Sequence, residues 1–400
     1  MIPYGRQDIN QKDIEAVISA LKSDWLTQGP SIPKFEKALA DYCGVKHAVA
    51  VNSATSALHI ACLALGVELG DTVWTSPNSF VASANCAIYC GANVDFVDIS
   101  LDTGNMSIEA LEEKLLHAKL TNTLPKVVIP VHFAGQSCDM RAIGKLAKDY
   151  GFYIIEDASH AVGGTFENTP VGSCEYSDIC VFSFHPVKII TTMEGGMALT
   201  SKETLAEKMM QLRSHGIIND PNKMQNASDG PWYYEQIDLG FNYRMNDVEA
   251  ALGLSQLTRL DSFVETRNKL VAIYNEKLST NPTIVPLSLA SNIYSSYHLY
   301  VVRVNGIDQA QHRYIIESLR ANGIFAHVHY IPIHLQPFYK TKLPQDYALP
   351  NAERYYREAI TLPLHPKLTP SEISYITDNL VTLVDEIGSI AKAYPNSNEA

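Results

Sequence analysis

Short apolar segments alternate with segments of helical periodicity through the first part of the chain. Candidate strands are Ala48 to Val51, Thr72 to Thr75, Val94 to Val97, Lys126 to Val131 and Tyr153 to Ile155. Candidate helices between them are Ala54 to Leu65, Val81 to Tyr89, Ile108 to Leu116 and Ile143 to Tyr150. Apolar strands of this length that alternate with helices indicate an α/β fold with a mostly parallel sheet covered on both faces.

Other patterns flank this alternating region. Helical periodicity runs from Lys12 to Asp24, and another helix starts at Pro33 and continues to Tyr42. The predictions beyond the sheet region are a long helix (Asn246 to Glu276), a strand (His298 to Val304), a helix (Gln309 to Asn322), a strand or loop (Phe325 to Tyr330) and a terminal helix after Pro370. We therefore predict a large domain with the N-terminal segment over 1–265 and a smaller C-terminal α+β domain over 266–400.

Composition limits the class of ligand and the compartment. The net charge of -12 over 400 residues argues against a nucleic-acid or anionic-membrane surface. Seven cysteines with no C-x-x-C spacing suggest reduced thiols and no metal site, and Cys86 and Cys90 are best explained by core packing. The N-terminus has no apolar signal segment, so the expected location is the cytoplasm. The polar tail Tyr394 to Ala400 is expected to fray.

Polar segments follow several of the predicted strands where each strand ends. They are Asn52 to Ser56, Pro77 to Phe80, His132 to Gly135 and Asp157 to His160. Ligands of parallel α/β sheets lie outside the carboxyl ends of the strands. The sequence therefore predicts that these segments meet at one site.

Lys188 and Asp157 indicate the chemistry of that site. Lys188 lies in a Ser/His-rich loop shortly before Glu194-Gly195-Gly196, and Asp157 ends a buried strand. Pyridoxal phosphate requires an amine to hold its aldehyde as a Schiff base and an anion to keep its pyridine nitrogen protonated. After displacement by the amino donor, the Lys188 amine becomes the base that moves the substrate's α-proton. A lone lysine is usually a surface residue, but the pairing with Asp157 favours this cofactor.

The segment Asn52 to Ala57 is a candidate phosphate site. It follows a strand and opens a helix, so backbone amides and Ser/Thr hydroxyls face an incoming anion. A simple helix cap explains the same residues, and Ser183 with Lys188 favours the phosphate hypothesis. No glycine-rich dinucleotide or nucleotide-phosphate fingerprint follows a strand. Phe80 is a candidate stacking platform for the pyridine ring, although a single Phe is more often a core residue.

Other candidate residues keep two explanations. Asp157 could also cap a helix, but no second residue is spaced for a metal. His160 could contact Asp157 or the side of the cofactor that carries the 3-hydroxyl, or it could be a packed histidine with no chemical role. Asn242 and Arg244 precede the long helix and could contact anions, or they could be a solvated loop before an N-cap at Asn246.

The chain resembles the sugar aminotransferases of the DegT/DnrJ/StrS family, which are fold-type I pyridoxal phosphate enzymes. The segments that carry this resemblance span nearly the whole sequence: Leu26 to Pro30 with Phe35-Glu36, Asn52 to Leu58, Glu156 to Ala161, Ser183 to Gly196, Arg213 to Gly216, Gly240 to Arg244 and Val328 to His334. Four segments are most similar to family members that aminate C4 of a UDP-linked 4-keto-6-deoxy-N-acetylhexosamine with glutamate: Asn52 to His59, Pro77 to Ala82, Phe182 to Lys188 and Ala251 to Leu257.

The resemblance implies roles for residues that match the family's motifs. Lys188 would bind the cofactor's aldehyde, Asp157 its pyridinium, and Ala54, Thr55 and Ser183 its phosphate. Asn242 would reach the phosphate of the neighbouring subunit's cofactor, which implies a homodimer with shared sites. The implied sugar-nucleotide pocket adds Tyr4, Asp24, Trp25, Leu26, Thr27, His327, Val328, His329 and Tyr330, beside Ala54, Ser183 and Asn242. Many relatives have Gln at the position of His160, and a dehydratase branch has His at the position of Lys188.

Three alternatives share the predicted scaffold. The same chemistry could act on a dTDP-sugar or a UDP-pentose, because specificity depends on loop residues. A non-catalytic sugar-nucleotide-binding protein would be expected to lack Lys188 or Asp157, and both are present. A nicotinamide oxidoreductase would need a glycine fingerprint. The sequence therefore favours a pyridoxal-phosphate-dependent nucleotide-sugar aminotransferase.

Overall fold

The computed structural model describes residues 1–393 of the chain. The predicted polar tail, Tyr394 to Ala400, lies outside the described residues. No helix in the described part is both long and apolar enough to cross a membrane.

Helices occupy both ends of the chain and the connections between strands. In chain order they are α1 Gln11–Leu21, α2 Ser31–Cys43, α3 Ala54–Ala64, α4 Ala82–Tyr89, α5 Ile108–Thr121, α6 Met140–Tyr150, α7 Glu203–Arg213, α8 Asp247–Leu257, α9 Leu260–Leu278, α10 Gln309–Ala321, α11 Pro337–Lys340, α12 Pro350–Glu358 and α13 Pro370–Ala393. Short 3-10 turns lie at Phe133–Gly135 and Ile333–Leu335.

Strands are short and belong to four sheets in the described residues. In chain order they are β1 His47–Val51, β2 Thr72–Thr75, β3 Asn93–Phe96, β4 Val127–Ile129, β5 Tyr153–Asp157, β6 Thr165–Phe166, β7 Thr169–Pro170, β8 Ile179–Ser183, β9 Gly196–Thr200, β10 Ile217–Ile218, β11 Glu235–Gln236, β12 Ile284–Pro286, β13 Ile293–Tyr294, β14 Tyr300–Val304 and β15 Ala359–Leu362.

The large sheet has seven strands in the order β1-β9-β8-β5-β4-β2-β3. Neighbours from β3 to β8 pair in parallel, and β9 runs antiparallel to both β8 and β1. The predicted mostly parallel α/β sheet is therefore confirmed. Each strand that the alternation predicted is present in it, with ends shifted by a few residues.

Side chains of the central strands enter two different cores. In β8, Ile179 and Val181 join the core formed with α3, α4 and α7, whereas Cys180 and Phe182 join the core formed with α2, α8 and α9. This alternation follows from the two-residue period of a strand. Burial on both faces explains why these strands consist of consecutive apolar residues.

A separate core lies in the C-terminal part of the chain. The three-stranded antiparallel sheet β12-β14-β15 packs with residues of α9, α10 and α13, including Tyr274, Ile315 and Leu380. The boundary predicted near residue 265 falls inside α9. We keep a large domain over 1–265 and a small domain over 266–400 as a proposal, for which this second core is the support.

The long helix predicted from Asn246 to Glu276 is wrong as a single element. It is two helices, α8 and α9, separated at Thr258 and Arg259. Arg259 donates hydrogen bonds to the Asp8 carboxylate at 3.0 Å and to Asp13 at 2.5 Å, so its backbone position is fixed by the N-terminal segment. The other uncertain segment, Phe325 to Tyr330, is a loop with one isolated bridge from His327 to Thr361.

Candidate active site

A cavity of about 430 Å³ lies at the carboxyl ends of β5 and β8 and at the start of α3. It brings together most of the residues that the sequence singled out. Those that line it are Tyr4, Ala54, Thr55, Phe80, Asp157, His160, Ser183, Lys188, His327, His329 and Tyr330. Three of the four segments predicted to meet at the strand ends line this cavity, whereas no residue of His132 to Gly135 does, because the His132 ring is bonded to Glu156 and to the Cys138 amide.

Lys188 is held in the loop between β8 and β9, where its side chain is half-buried. Its backbone amide donates to the His185 carbonyl at 2.9 Å, which turns the loop toward the cavity. Burial lowers the pKa of the Lys188 amine to about 8, while the charge of Asp157 acts in the opposite direction. Among the described residues no side chain forms an ion pair with this amine. It is thus a partly neutral nucleophile near neutral pH.

The shifted pKa predicts an unusual pH dependence for Lys188 acylation in the cofactor-free protein. The reactive form is the neutral amine, so the rate should rise with pH and reach half its maximum near pH 8. A lysine in an unstructured reference peptide, whose side-chain pKa is about 10.4, should instead reach its midpoint about two pH units higher. Brief treatment with acetic anhydride and peptide mass spectrometry would give both profiles. Coincident midpoints for the two lysines would contradict the assignment.

Asp157 lies at the end of β5 and is almost fully buried. Its Oδ2 accepts a hydrogen bond from Ser83 Oγ at 2.6 Å, and its Oδ1 accepts from Ser159 Oγ at 2.6 Å. The Ser159 amide also donates to Oδ1 at 3.1 Å. Donors to both oxygens fix the orientation of the carboxylate.

The sequence interpretation missed Ser83 and Ser159. Ser83 is fully buried on α4, and its hydroxyl also shares a 2.7 Å hydrogen bond with Ser79 Oγ. The available signal was a pair of small hydroxyl residues four positions apart, on a segment that is otherwise apolar. In a helix that spacing would put both on one face, but Ser79 lies before the start of α4, and the spacing does not identify Asp157 as the partner of Ser83.

His160 lies three residues after Asp157 in the sequence, but its hydrogen bonds are to other residues. Its Nδ1 accepts from the Ala134 amide at 3.3 Å, and its Nε2 lies 3.2 Å from Tyr330 Oη. Burial, then the charge of Lys188, holds the pKa of His160 well below its usual range, so the ring is neutral. Of the contacts suggested for His160, the hydrogen bond with Asp157 is not made, because both ring nitrogens are already engaged.

The start of α3 forms another wall of the cavity. Ser53 Oγ caps the helix by accepting from the Ser56 amide at 3.1 Å, and Ala54 and Thr55 follow at the cavity surface. A helix N-terminus with small side chains is a binding site for a phosphate group. Gly196 of β9 packs against this turn so closely that an added Cβ would lie 2.5 Å from the Ala54 nitrogen.

Gly196→Ala is expected to weaken cofactor binding at least about tenfold, because the new methyl group would displace the first turn of α3. Gly388→Ala is the matched control. Gly388 lies in α13 with no atom within 4 Å of an added Cβ, so alanine there should stabilise the protein by roughly 0.5–1 kcal/mol. Cofactor titration by fluorescence together with thermal unfolding would separate the two effects. Unchanged cofactor affinity in Gly196→Ala would contradict this account of the turn.

Aromatic and imidazole rings form the outer wall. Tyr4 lies 5.5 Å from His327 and 5.2 Å from His329, measured between ring centroids. His329 Nδ1 lies 3.0 Å from Thr361 Oγ1, and burial lowers the pKa of His329 to about 3. His329 is therefore uncharged around neutral pH. The wall presents ring faces and polar edges that suit a sugar or a nucleotide base.

Six residues assigned by the resemblance do not line this cavity in the single chain: Asp24, Trp25, Leu26, Thr27, Val328 and Asn242. Asn242 is exposed, as are residues 24–27. The two exposed segments run side by side, since Thr27 forms a bridge with Asn246 and the Leu26 carbonyl accepts from the Asp247 amide at 3.0 Å. Their assigned roles stay predictions.

The donor set of the cavity fits pyridoxal phosphate. Lys188 supplies an amine, and Asp157 supplies a buried carboxylate held at both oxygens. The N-terminus of α3, against which Gly196 packs closely, supplies a place for a phosphate. These groups line one cavity, as a cofactor with an aldehyde, a ring nitrogen and a phosphate requires. Ser183, buried at the end of β8, adds a hydroxyl on the same surface.

Known proteins are similar to this chain over nearly its whole length. The model of the DegT/DnrJ/EryC1/StrS aminotransferase family matches residues 7–381. The UDP-4-amino-4,6-dideoxy-N-acetyl-beta-L-altrosamine transaminase of Campylobacter jejuni is 38% identical over 387 residues, with 97% of this chain and 98% of the relative covered.

Solved structures agree with these sequence matches. Helicobacter pylori PseC, an aminotransferase involved in the biosynthesis of pseudoaminic acid, superposes with a TM-score of 0.88 at 34% identity, covering 96% of this chain and 99% of the other. The PLP form of Spr1654 from Streptococcus pneumoniae superposes with a TM-score of 0.86 at 31% identity, covering 96% and 99%.

Proposed function

Because the chain belongs to the DegT/DnrJ/EryC1/StrS aminotransferase family, we propose that it transfers the amino group of L-glutamate to C4 of a UDP-linked 4-keto-6-deoxy-N-acetylhexosamine. The product would be UDP-4-amino-4,6-dideoxy-N-acetyl-β-L-altrosamine, an intermediate of pseudaminic acid biosynthesis. The chain is a pyridoxal-phosphate-dependent aminotransferase of fold-type I. The observation that carries the chemistry is the placement of Lys188 and Asp157 in one cavity; similarity to the Campylobacter transaminase supports the substrate.

Lys188 has two tasks in this proposal. Its amine holds the cofactor at the aldehyde carbon, and once the donor has displaced it, Nζ accepts and returns the proton of the substrate carbon. The pKa of about 8 suits both tasks, because a useful fraction of the amine is neutral at physiological pH. When bound, the cofactor supplies an electron sink for the charge left at that carbon.

Asp157 keeps a negative charge next to the ring nitrogen of the cofactor. The Ser83 hydroxyl holds one of its oxygens in place, and the Ser159 hydroxyl holds the other. The carboxylate therefore does not reorient when charge changes in the site, and this preorganisation lowers the reorganisation cost of the reaction.

The phosphate would be held by the N-terminus of α3 at Ala54 and Thr55 and by Ser183. A protein of net charge -12 needs such local donors to retain an anion.

The ring of Phe80, 60% exposed at the cavity, is placed for stacking on the cofactor ring. His160 and Tyr330 would act as a neutral hydrogen-bonded pair at the surface of the same cavity.

We propose a homodimer in which each subunit completes the other's site. Large apolar side chains are exposed in the 24–27 segment and in the stretch of chain before Asn242, including Trp25 at 57%, Trp232 at 74% and Leu239 at 76%. Exposed apolar groups in such numbers mark an interaction surface. Asn242 is exposed in its own subunit, which is the arrangement expected for a residue that serves a neighbouring site.

Subunit mixing tests the shared site. Lys188→Ala and Asn242→Ala should each be inactive alone, whereas their mixture should regain up to about a quarter of wild-type activity. At equal amounts half of the dimers are hybrids, and each hybrid has one site with both residues. Turnover of the equilibrated mixture, with mixing checked by mass spectrometry of hybrids, gives the result. A fully active monomer would overturn the shared site and leave the chemistry untouched.

The cytoplasm is the proposed location. All seven cysteines are free thiols in the structure, which suits a reducing compartment.

Absorbance of the purified protein tests the donor half of the function. The visible band of the bound cofactor should fall when L-glutamate is added without a keto sugar, and it should return when the UDP-linked keto sugar follows. Lys188→Ala should show no such cycle. An absorbance band that does not change with glutamate but falls with another amino donor would contradict the assigned donor. It would leave the assignment as an aminotransferase unchanged.

A further inference from the structure

Three thiols meet where α3 packs against α4. Cys62 lies on α3, Cys86 lies on α4, and Cys90 follows the last residue of α4. Cys62 and Cys86 are fully buried in one apolar core, and the partly exposed Cys90 packs against the same core. The Cys62 thiol interacts with the thiols of both other cysteines. The sequence spacing indicated only that Cys86 and Cys90 are neighbours. The tertiary fold brings Cys62 next to them.

His59 completes the cluster. It lies one helical turn before Cys62, and its Nδ1 is 3.1 Å from Tyr243 Oη. Its ring is held between Phe241, 4.8 Å away, and Tyr89, 5.4 Å away, measured between centroids. The imidazole also interacts with the Cys90 thiol. Cys90 therefore has two polar neighbours fixed by packing and one side open to solvent.

The environment of Cys90 differs from that of the other thiols. Interaction with Cys62, followed by interaction with His59, lowers the pKa of Cys90 to about 6 against the opposing effect of burial. Burial raises the pKa of Cys43 to about 12. The thiolate is the reactive form of cysteine, and exposure decides whether an oxidant reaches it. Cys90 combines both properties, because Cys62 and His59 stabilise its thiolate and the residue is partly exposed to solvent.

We propose that Cys90 is an oxidation site for hydroperoxides and that Cys62 is its resolving partner. In the first step the Cys90 sulfur attacks the hydroxyl oxygen of the hydroperoxide, the O–O bond breaks, and Cys90 becomes a sulfenic acid. The leaving group takes up a proton and departs as water from hydrogen peroxide or as an alcohol from an organic hydroperoxide. In the second step the Cys62 sulfur attacks the Cys90 sulfur, a disulfide forms, and water leaves. Two thiols lose two electrons in total and the peroxide gains them.

Cys62 is favoured over Cys86 as the partner for a structural reason. Cys86 already donates its thiol to the Ser83 carbonyl at 3.3 Å within the same helix. Cys62 comes from the neighbouring helix and faces Cys90 across the helix contact. A bond from Cys62 to Cys90 would join α3, whose first turn lines the cavity, to α4, whose Ser83 holds Asp157.

Peptide mass spectrometry of the cofactor-loaded protein tests the site. After one equivalent of hydrogen peroxide, the expected product is a Cys62–Cys90 disulfide that a thiol reductant removes. With dimedone present, Cys62→Ser should carry a dimedone adduct at Cys90 at a level about tenfold above any other cysteine. Cys90→Ser should show neither product, and Cys43→Ala, which alters a thiol far from the cluster in the other core, should behave like wild type.

Two results would overturn the proposal. One is equal or greater oxidation of a cysteine other than Cys62 and Cys90 in the wild-type protein, which needs no variant and so does not depend on how the variants fold. The other is a disulfide from Cys90 to Cys86 in place of Cys62, which would remove the resolving role. Circular dichroism of each variant confirms that its fold is retained before its labelling is compared.

Discussion

Lys188→Ala should lower amino transfer by about 10³-fold or more while leaving the fold unchanged, because no other amine lines the cavity in the described residues. Alanine neither holds the cofactor nor moves the substrate proton. Lys188→Arg should fail equally, since a guanidinium stays protonated and cannot serve as the base. Turnover with glutamate and the UDP-linked keto sugar, measured at saturating cofactor, gives the effect.

A matched control isolates the role of Lys188 from the loss of a cation. Lys37 is an exposed lysine paired only with Asp41 on the surface of α2, so Lys37→Ala should keep wild-type turnover. Circular dichroism and thermal unfolding of both variants would confirm intact folds. Substantial turnover by purified Lys188→Ala would remove Lys188 from the chemistry.

Asp157→Asn is expected to retain some cofactor but to react about 10²-fold to 10³-fold more slowly. A neutral amide cannot hold a positive charge on the ring nitrogen, and loss of one partner of a buried charge pair typically costs about 3–5 kcal/mol. The asparagine side chain is nearly isosteric, so its amide oxygen can accept from Ser159 and its amide nitrogen can donate to the Ser83 hydroxyl. Single-turnover kinetics with glutamate would report the slowed proton transfer separately from cofactor loss.

Asp139→Asn provides the comparison for that variant. Asp139 caps α6 by accepting from the Ala142 amide at 3.0 Å, and asparagine caps helices equally well, so its activity should not change. Wild-type rates in Asp157→Asn would show that another residue supports the ring nitrogen.

The sequence predicted the sheet and the position of the cavity because both depend on local patterns. Apolar strands that alternate with helices allow few arrangements other than a covered parallel sheet, and the polar residues after those strands then share one edge. The strands β8 and β9 were not predicted. Ile179–Ser183 and Gly196–Thr200 are short and lie in loop-rich sequence around Lys188. Within the seven-stranded sheet, β9 is the strand that runs antiparallel to both of its neighbours.

Features that depend on distant contacts were not predictable in the same way. The hydrogen bond from Ser83 to Asp157 joins residues 74 positions apart, and nothing near either residue indicates it. The break between α8 and α9 contains neither glycine nor proline, and Arg259 is held there by Asp8 and Asp13 at the other end of the chain. Local periodicity therefore continued through a position where tertiary contacts end the helix.

The assignments of Trp25, Leu26 and Asn242 have a different origin. They came from resemblance to a family, and one subunit places them outside the cavity, on its surface. A site shared between subunits leaves no periodic pattern in the sequence of either one. Residues that complete a neighbour's site look like ordinary exposed loop residues until the assembly is considered.

The product of a complete reaction tests the central claim most directly. Purified protein would be incubated with pyridoxal phosphate, L-glutamate and the UDP-linked 4-keto-6-deoxy-N-acetylhexosamine, and the sugar would be analysed by NMR and mass spectrometry. We predict an amino group at C4 with the β-L-altro configuration, formed in equal amount with 2-oxoglutarate. Failure to aminate this sugar, with rapid amination of a dTDP-linked keto sugar or a UDP-linked keto pentose under the same conditions, would contradict the proposed substrate.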